Sequence, residues 1–422
     1  MCRIKTKQGV IVIDNNAIHI VDSVMGTGKT QACIAFMRQQ PGQKYMYVAP
    51  YLDECNRIQA SAPELDFQQP QENKTKSADL LRLLSEEKNI TTTHELFSLM
   101  KDSDVEYIKK FKYILFLDEE LSCIENLSIE SADLDFLMKN NFVQVEQSTK
   151  EVCWTNPDNK KSKLIGHYKE DIQRKPHYLV KDNVLMWLFP INVLKAFQSV
   201  HVLTFMFSSS TMAGYLLKND VSFDFCHIEN CSFADGYQRV TPEEKARFKD
   251  LIEIYEGPFN DNWHGKTRKK DKRFLMSQNW FGNRSNSGRV NQLRNNAYNF
   301  VRNKCKAHKE DVLWTSYKDY AGALTSDKLT YQSRKSNWLA WNTKATNQYS
   351  DRTVLVYLLN VFPNPLFKNY LENDNFKFNE DDYSLSALLQ WVWRSAIRNG
   401  KKVTIYIPAP RMRQLLTDWL NG

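Results

Sequence analysis

Short apolar runs separated by longer polar stretches mark the first half of the chain. The runs that predict β-strands are residues 17–21, 45–49, 113–117 and 201–207. A stretch with helical character, residues 30–38, follows the first of these runs. Strands that alternate with helical segments are typical of βαβ units, which build parallel sheets. The pattern therefore predicts an α/β fold with parallel β-sheets flanked by helices.

The second half of the chain repeats this pattern. Its predicted strands are residues 273–277, 312–315, 353–357 and 403–407. A charged region with glycines and prolines, residues 232–272, lies between the halves, so we predict domains at 1–237 and 238–422. Residues 124–198 separate the third and fourth strands and are longer than a single crossover needs. We predict that they form an inserted subdomain or flap.

Composition excludes several classes of protein. Hydrophobic residues make up 42% of the 422 residues, which excludes a mostly disordered chain. The longest apolar candidate, residues 184–189, ends at Pro190, well short of the about 18 residues of a transmembrane helix. The N-terminus also lacks the apolar region of a signal peptide. We therefore expect no membrane partner and a cytoplasmic location.

A glycine-containing turn lies between the first predicted strand and the first predicted helix, where residues 23–30 read SVMGTGKT. Gly26 and Gly28 let backbone N–H groups approach phosphate oxygens, and the helix adds the positive end of its dipole. Lys29 would reach the β- and γ-phosphates, and Thr30 would offer a hydroxyl to Mg²⁺. The residues predicted to bind the nucleotide are Ser23, Gly26, Thr27, Gly28, Lys29 and Thr30.

An acidic pair ends the third predicted strand, where residues 113–121 read YILFLDEEL. Open α/β sheets bind ligands at the carboxyl ends of their strands, so both carboxylates would face a ligand. Asp118 would hold Mg²⁺ through water, and Glu119 would orient and deprotonate the attacking water. With the glycine turn, this pair indicates a nucleoside triphosphatase that uses ATP and Mg²⁺.

Together the two motifs resemble those of superfamily 2 helicases, the DEAD/DEAH-like group, and the chain is most similar to the small phage or mobile-element type. That group commonly has a small residue, here Ser23, at the first position of the turn. The resemblance implies two RecA-like domains with a nucleotide cleft between them. It also implies nucleic acid as a partner, replication proteins as further partners, and a bacterial or phage-infected host cell.

Two further segments of the first half resemble motifs of that group that contact nucleic acid. Residues 48–54, with Arg57, resemble the motif that grips the nucleic-acid backbone, and residues 90–94 resemble the threonine-bearing motif before the acidic pair. Residues 204–211 lie where the group has its Ser-Ala-Thr coupling motif but match only in hydroxyl content. The residues implied to bind nucleic acid here are Pro50, Arg57, Thr92, Thr93 and His94.

Residues 390–398 resemble the arginine-finger motif Gln-x-x-Gly-Arg-x-x-Arg, although Trp393 replaces the glycine and the second arginine comes one position late. Positions four apart on a helix share a face, so we expect Arg394 and Arg398 to project together. An arginine aimed at the γ-phosphate would stabilise the charge of the transition state. The resemblance leaves open which of the two is the finger.

Positive charge is concentrated in residues 266–309, which contain thirteen Lys and Arg residues against one acid, Asp271. The net charge of the whole chain is only +8, so the remainder is slightly acidic. Phosphate contacts are the usual use of such a concentration. We predict contacts from Arg284 and Arg289. The aromatic residues expected to stack on unpaired bases are Trp280, Phe281 and Tyr298.

These observations predict an ATP-dependent helicase or translocase that acts on nucleic acid. Nothing in the residues distinguishes DNA from RNA, and the resemblance to phage helicases favours DNA, in replication or recombination. A first alternative is a replication-initiation or packaging switch that binds DNA and hydrolyses ATP without unwinding. A second is a structural nucleic-acid-binding protein whose phosphate loop is degenerate. Strand displacement distinguishes the first alternative, and failure to bind ATP would favour the second.

Overall fold

The structure is a computed structural model that describes residues 17–422 apart from 73–74, 157–162, 182–183, 238–239, 262–268, 334 and 344–345. The chain divides into two compact units. The first unit contains the described residues up to Asp22, together with Gly28–Tyr237 and Pro365–Lys377. The second unit contains Ser23–Thr27, Gln238–Asn364 and Phe378–Gly422. Within the described parts of the chain, no helix has both the length and the apolar character needed to cross a membrane.

The strands are numbered along the chain. Those of the first unit are β1 (Ala17–Asp22), β2 (Tyr45–Ala49), β3 (Ile90–Thr93), β4 (Ile114–Asp118), β5 (Ile124–Asn126), β6 (Val143–Val145), β7 (Glu151–Trp154), β8 (His177–Lys181), β9 (Val184–Leu188), β10 (Ser199–Thr204), β11 (Phe223–Glu229) and β12 (Ser232–Asp235). Those of the second unit are β13 (Ile252–Ile254), β14 (Val312–Thr315), β15 (Val354–Tyr357) and β16 (Val403–Tyr406).

The helices are numbered in the same way. They are α1 (Lys29–Gln39), α2 (Leu52–Ser61), α3 (Lys76–Ser85), α4 (His94–Phe97), α5 (Asp102–Lys110), α6 (Ser131–Lys139), α7 (Lys163–Arg174), α8 (Ile191–Ala196), α9 (Thr211–Lys218), α10 (Pro242–Leu251), α11 (Gln278–Gly282), α12 (Ser287–Asn299), α13 (Lys318–Ala321), α14 (Pro365–Leu371), α15 (Glu380–Val392) and α16 (Pro410–Asn421). Short 3₁₀ segments and a π-helical turn, Phe300–Lys304, connect some of them.

The main sheet of the first unit has the strand order β12-β11-β1-β10-β4-β2-β3. Neighbouring strands run parallel except β11 and β12, which form an antiparallel edge. All five residues of β2 are buried, as are the first four of β4, because both faces of these strands are covered. Parallel strands end at the same edge, so the residues after β1, β2, β4 and β10 gather there.

The segment between β4 and β10 forms a second sheet in the first unit. Its strand order is β5-β9-β8-β7-β6, and its neighbours are antiparallel. This sheet and its helices enclose a separate small core that includes Leu134, Val152 and Leu185. Residues 124–198 therefore contribute an additional structural layer and leave the main sheet continuous.

The second unit contains a parallel sheet with the order β13-β16-β15-β14. Its strands β14 and β15 are buried throughout. With the main sheet of the first unit, it confirms the predicted α/β class with parallel sheets and flanking helices. The predicted strands at 45–49 and 312–315 coincide with β2 and β14.

Two strand predictions differ from the structure. The run at 201–207 starts earlier and ends at Thr204, after which Met206 adopts a left-handed conformation with φ of 61°. The predicted strand at 273–277 is wrong, because the chain there continues a 3₁₀ segment, Lys269–Phe274, into a turn. Asn360 explains this difference: its Nδ2 donates to the carbonyls of Arg273 and Leu275, so these groups are not available for a strand ladder.

Candidate functional site

The glycine turn connects the end of β1 to the start of α1. Gly26 has φ of 83° and Gly28 has φ of 88°, conformations that residues with a Cβ adopt at a cost. Gly28 is the N-cap of α1, and the Thr27 hydroxyl closes the turn by donating to the carbonyl of Val24 at 2.9 Å. Lys29 therefore begins the first turn of an eleven-residue helix, where backbone N–H groups and the helix dipole favour an anion.

Close packing is a second reason why position 26 requires a glycine. A Cβ at this position would lie 2.5 Å from Cζ2 of Trp393, and both residues belong to the second compact unit. Trp393 is the residue that replaces the glycine of the arginine-finger motif. The ring of Trp393 therefore packs against Gly26 and occupies the space that a side chain at position 26 would need. The tryptophan that replaces the motif's glycine thus requires a glycine in the turn.

The acidic pair stands at the carboxyl end of β4, as the sequence predicts for a strand that leads to a ligand. Burial, together with the nearby carboxylates of Glu119 and Glu54, raises the pKa of Asp118 to about 6. Glu119 has a left-handed backbone with φ of 67°, and its N–H donates to the carbonyl of Leu203 at 3.0 Å. A carboxyl group whose ionisation is opposed by burial and by neighbouring negative charge favours binding of a cation.

Arg57 joins the glycine turn to the acidic pair inside the first unit. Its Nη2 donates to the hydroxyl of Thr30 at 3.5 Å, and its guanidinium forms an ion pair with Glu54. The positive charge of Arg57 also lowers the pKa of Asp118. The structure therefore brings together Thr30 and Asp118, two residues far apart in sequence. It also places Arg57 beside the predicted nucleotide site, although the sequence motif implied nucleic-acid binding.

Mg²⁺ fits the residues gathered here. Among the described residues, no group of three or more His, Cys, Asp or Glu side chains could hold a metal ion by itself. Mg²⁺ bound with a nucleotide does not need such a group, since it keeps several waters and takes phosphate oxygens. The hydroxyl of Tyr47 is buried, and side-chain hydrogen bonds with Thr30 and Asp118 are among the causes that shift its pKa. The hydroxyl of Thr30 and the carboxylate of Asp118 are oxygen donors, which are the ligands that Mg²⁺ prefers.

The predicted threonine motif occupies β3 and the start of α4. Thr92 is 2% exposed, which leaves its side chain no route to a nucleic-acid backbone in this conformation. The Thr93 hydroxyl caps α4 by accepting from the N–H of Leu96. The ring of His94 is bonded through Nε2 to the carbonyl of Asp118 at 2.9 Å. His94 therefore braces the carboxyl end of β4, while Pro50 is half-buried directly after β2.

Two polar links at this sheet edge have no motif in the sequence. The buried carboxylate of Asp22, the last residue of β1, accepts from the N–H groups of Met206 and Phe207. The Thr204 hydroxyl donates to the Glu120 carboxylate at 3.0 Å. Both links tie the segment after β10 to the residues that flank the nucleotide motifs. The hydroxyl content of residues 204–211 was a sequence signal for the second link and gave none for the first.

The two candidate arginines do not share one α-helix, so the expectation based on helical spacing is wrong. Helix α15 ends at Val392, and Arg394 follows it as a buried residue. Arg398 lies in a separate 3₁₀ segment, Ala396–Asn399, and its Nη1 donates to the side-chain oxygen of Asn347. The two guanidinium groups are therefore held in different local environments of the second unit.

The described part of the basic stretch runs from the 3₁₀ helix at Lys269–Phe274 through α12 and the π-helical turn Phe300–Lys304 to Lys309, while Lys266 and Arg268 lie outside the described residues. Arg284 is exposed, and Arg289 is half-buried and donates to the side chain of Asn286 at 3.2 Å. Phe281 is buried against the ring of Tyr320, so it is not available to stack on a base. The other aromatic candidates, Trp280 and Tyr298, are partly exposed.

Comparison with known proteins identifies a relative along the whole chain. Residues 246–420 match the family described as the YonV C-terminal Rossmann-like domain. The chain is 32% identical over 423 residues to the SPbeta prophage-derived uncharacterized protein YonV of Bacillus subtilis (strain 168), a match that covers 96% of this chain and 99% of that protein.

Solved helicases show a more distant likeness. The structure of S. tokodaii Xpd4 is similar with a TM-score of 0.49 and 12% identity, over 96% of this chain and 94% of that chain. The DUF1998 helicase MrfA bound to DNA and AMPPNP is similar with a TM-score of 0.34 and 8% identity, over 96% of this chain and 48% of that chain. At these values the likeness carries no argument about individual residues.

Proposed function

Since the chain belongs to the YonV family, we propose a function for it from its own residues: it is an ATP hydrolase that acts on nucleic acid as a helicase or translocase. The observation that supports this proposal most directly is the cluster of Thr30, Asp118 and Arg57 at one edge of the parallel sheet. Gly28 and the first turn of α1 add an anion-binding helix terminus to the same unit. A phosphate site next to a cation site is the requirement for hydrolysis of a nucleoside triphosphate.

Each residue of the cluster has a role in this function. Lys29 binds the β- and γ-phosphates, and Thr30 and Asp118 hold Mg²⁺. When bound, Mg²⁺ neutralises charge that develops on the phosphate oxygens. A carboxylate oxygen of Glu119 accepts a proton from the attacking water. The motif resemblance implies that Arg394 or Arg398 would stabilise the transferred phosphoryl group, and it leaves open which of the two does so.

Nucleic acid is the proposed partner because of the charge in residues 266–309. Arg284 presents its guanidinium to solvent in this stretch, where it can reach a phosphate. We propose DNA over RNA, and replication or recombination as the process, because the chain resembles phage helicases and its relative is prophage-derived. This function places the protein in the cytoplasm of a bacterial or phage-infected host cell.

The decisive experiment measures the ATPase rate with single-stranded and double-stranded DNA and RNA side by side. A strand-displacement assay accompanies it under the same conditions. DNA-stimulated hydrolysis with displacement supports the helicase, and stimulated hydrolysis without displacement supports a replication-initiation or packaging switch. Absence of ATP binding in the presence of every nucleic acid would overturn the proposal.

A further inference from the structure

Phe274 presents an aromatic ring to solvent at the end of the 3₁₀ segment Lys269–Phe274. It is 53% exposed, the highest value for a large apolar residue among those that the structure describes. The next two residues, Leu275 and Met276, are buried and anchor the chain in the second unit. Exposure of a large ring to water is unfavourable, so a ring that stays exposed on an anchored segment is a candidate binding residue.

The backbone on both sides of Phe274 is held by Asn360. The Nδ2 of Asn360 donates to the carbonyl of Arg273 at 2.7 Å and to the carbonyl of Leu275 at 2.9 Å. The N–H of Asn360 donates to the carbonyl of Met276 at 3.0 Å. These three hydrogen bonds fix the backbone position of Phe274. A binding group that is already fixed loses little conformational entropy when its ligand arrives.

Phe274 is the exposed member of a cluster of three planar groups. Its ring centroid lies 5.5 Å from that of Phe362, a half-buried residue in the loop after β15, with 31° between the two planes. The guanidinium of Arg411 lies over the ring of Phe362, with its Cζ 4.2 Å from the centroid. Both distances are typical of favourable contacts of an aromatic ring. Phe274 therefore packs against a ring that is itself supported from inside the second unit.

Arg411 gives this cluster a rigid base. Its side chain is buried, and it begins the first turn of α16 together with Pro410. The guanidinium donates to the carbonyls of Val361 and Glu380 and to the side chains of Asn360, Asp381 and Ser384. These partners engage Nε and both Nη atoms, so the plane of the guanidinium is fixed. A fixed guanidinium in turn restricts the ring of Phe362.

The charge beside Phe274 identifies the kind of ligand. The 3₁₀ segment that ends at Phe274 reads KKDKRF, with four basic residues and one acid. Lys272 and Arg273 are exposed, and Arg273 forms an ion pair with Glu380 at 2.9 Å. An exposed ring beside an excess of positive charge is the combination that binds single-stranded nucleic acid, because the ring stacks on a base while the cations contact phosphates.

We propose that Phe274 is the stacking platform for an unpaired base of a nucleic-acid strand, with Lys272 in contact with a neighbouring phosphate. The inference rests on the nucleic-acid partner of the proposed function and extends it, since it names unpaired bases as the feature that the second unit recognises. Every base has a π-face, so the platform recognises an unpaired base in any sequence. A base pair inside a duplex is stacked on its neighbours and does not present that face.

Phe136 provides a matched control in the first unit. It is 47% exposed on α6, and its ring stacks on that of Phe142 with centroids 5.9 Å apart. The sequence of α6 has two acids and one lysine, so it lacks the positive charge that surrounds Phe274. Replacement of either phenylalanine by leucine removes an exposed aromatic ring and keeps an apolar side chain. Only the change at Phe274 removes a ring beside the basic segment.

The test is fluorescence anisotropy of the full-length protein with three labelled DNA probes of equal length: a single strand, an abasic single strand and a duplex. We expect Phe274→Leu to weaken binding of the single strand about tenfold, the loss typical of one stacked base, and to leave the other two affinities unchanged. Phe274→Trp should bind the single strand at least as tightly as the wild type. Phe136→Leu should alter none of the three affinities.

Salt dependence separates stacking from phosphate contacts. Phe274→Leu removes no charge, so the slope of log affinity against log salt for the single strand should equal that of the wild type. A smaller slope in Phe274→Leu would show that the change disturbs the basic segment, and the stacking role would be wrong.

The remaining outcomes distinguish this inference from the proposed function. Equal binding of the single strand by Phe274→Leu and the wild type, or an equal loss for all three probes, would overturn the inference and leave the helicase proposal intact. A wild-type protein that binds none of the three probes would overturn the nucleic-acid partner itself.

Discussion

The carboxylate of Asp22 accepts hydrogen bonds from the backbone N–H of Met206 at 2.7 Å and of Phe207 at 3.1 Å. Asp22 is fully buried at the end of β1, immediately before the glycine turn. Met206 has a left-handed backbone and begins the 3₁₀ segment Phe207–Ser209. One buried carboxylate therefore fixes the segment that follows β10 relative to the strand that leads into the glycine turn.

We expect Asp22→Ala to destabilise the protein by about 3 kcal/mol, because two buried N–H groups lose their acceptor. Asp22→Asn keeps one acceptor oxygen and should lose less. Urea denaturation followed by circular dichroism measures the free energies of unfolding. Asp224→Ala, an exposed aspartate on β11, is the control. If Asp22→Ala were no less stable than Asp224→Ala, the buried carboxylate would not hold this sheet edge together.

Lys29→Ala and Glu119→Gln should each abolish ATP turnover while nucleic-acid binding largely survives. Lys29→Ala removes the charge that binds phosphate, and Glu119→Gln removes the base while the N–H bond to Leu203 remains. A coupled ATPase assay and a fluorescence-anisotropy measurement with labelled single-stranded DNA test the two parts separately. Normal turnover in either variant would contradict the catalytic assignment.

The free energy of unfolding should decrease as the pH is lowered, because of His201. Burial, with a smaller effect of the neighbouring His19, lowers the pKa of this imidazole from 6.5 to about 3. Below about pH 6.5 the unfolded chain takes up a proton that the folded chain does not, so the free energy of unfolding decreases until the pH approaches 3. At pH 5 the loss amounts to about 2 kcal/mol relative to neutral pH.

His201→Phe should remove this loss while keeping the ring stack on Phe116, whose centroid lies 4.9 Å away. The measurement compares urea denaturation of the variant and the wild type at pH 7.5 and pH 5. His167→Gln, an exposed change on α7, serves as the control. A difference between variant and wild type that is the same at both pH values would show that His201 does not cause the pH dependence.

Arg284→Ala should weaken DNA binding and reduce its dependence on salt. Each phosphate contact adds close to one to the slope of log affinity against log salt, so its loss should lower the slope by about one. Fluorescence anisotropy at several salt concentrations gives both quantities. Arg82→Ala is a suitable control, because that arginine pairs with Asp79 and Glu86 in the first unit. Equal slopes for Arg284→Ala and the wild type would exclude Arg284 from the contact.

Much of the fold class could be predicted because its signals are local. The strand β2 consists of five consecutive buried residues between polar stretches, and a run of that kind is recognisable from the sequence. The strand predicted at 273–277 shows the limit. Leu275 and Met276 are as buried as strand residues, but the side chain of Asn360, distant in sequence, satisfies neighbouring backbone groups. A pattern of apolar residues predicts which residues are buried. It does not predict which groups form hydrogen bonds with the backbone of those residues.

Some residues of the candidate site could also be predicted from the sequence, and others could not. The glycine turn is a continuous segment of the sequence. The grouping of its residues Gly26, Gly28, Lys29 and Thr30 could therefore be predicted from the sequence alone. The arginines after α15 depend on where that helix ends, which helical spacing alone did not indicate. Tyr47 was missed because a tyrosine in a buried strand has no distinctive pattern.

The sequence by itself determined the parallel α/β architecture, the glycine turn and the acidic strand end, because each depends on residues adjacent in the chain. Only the tertiary structure decided that Thr30, Tyr47 and Asp118 lie together and that Asp22 holds the segment after β10. These relations depend on strand order: β10 lies between β1 and β4, and β2 lies on the other side of β4. Strand order results from packing over the whole sheet, and no local pattern of residues encodes it.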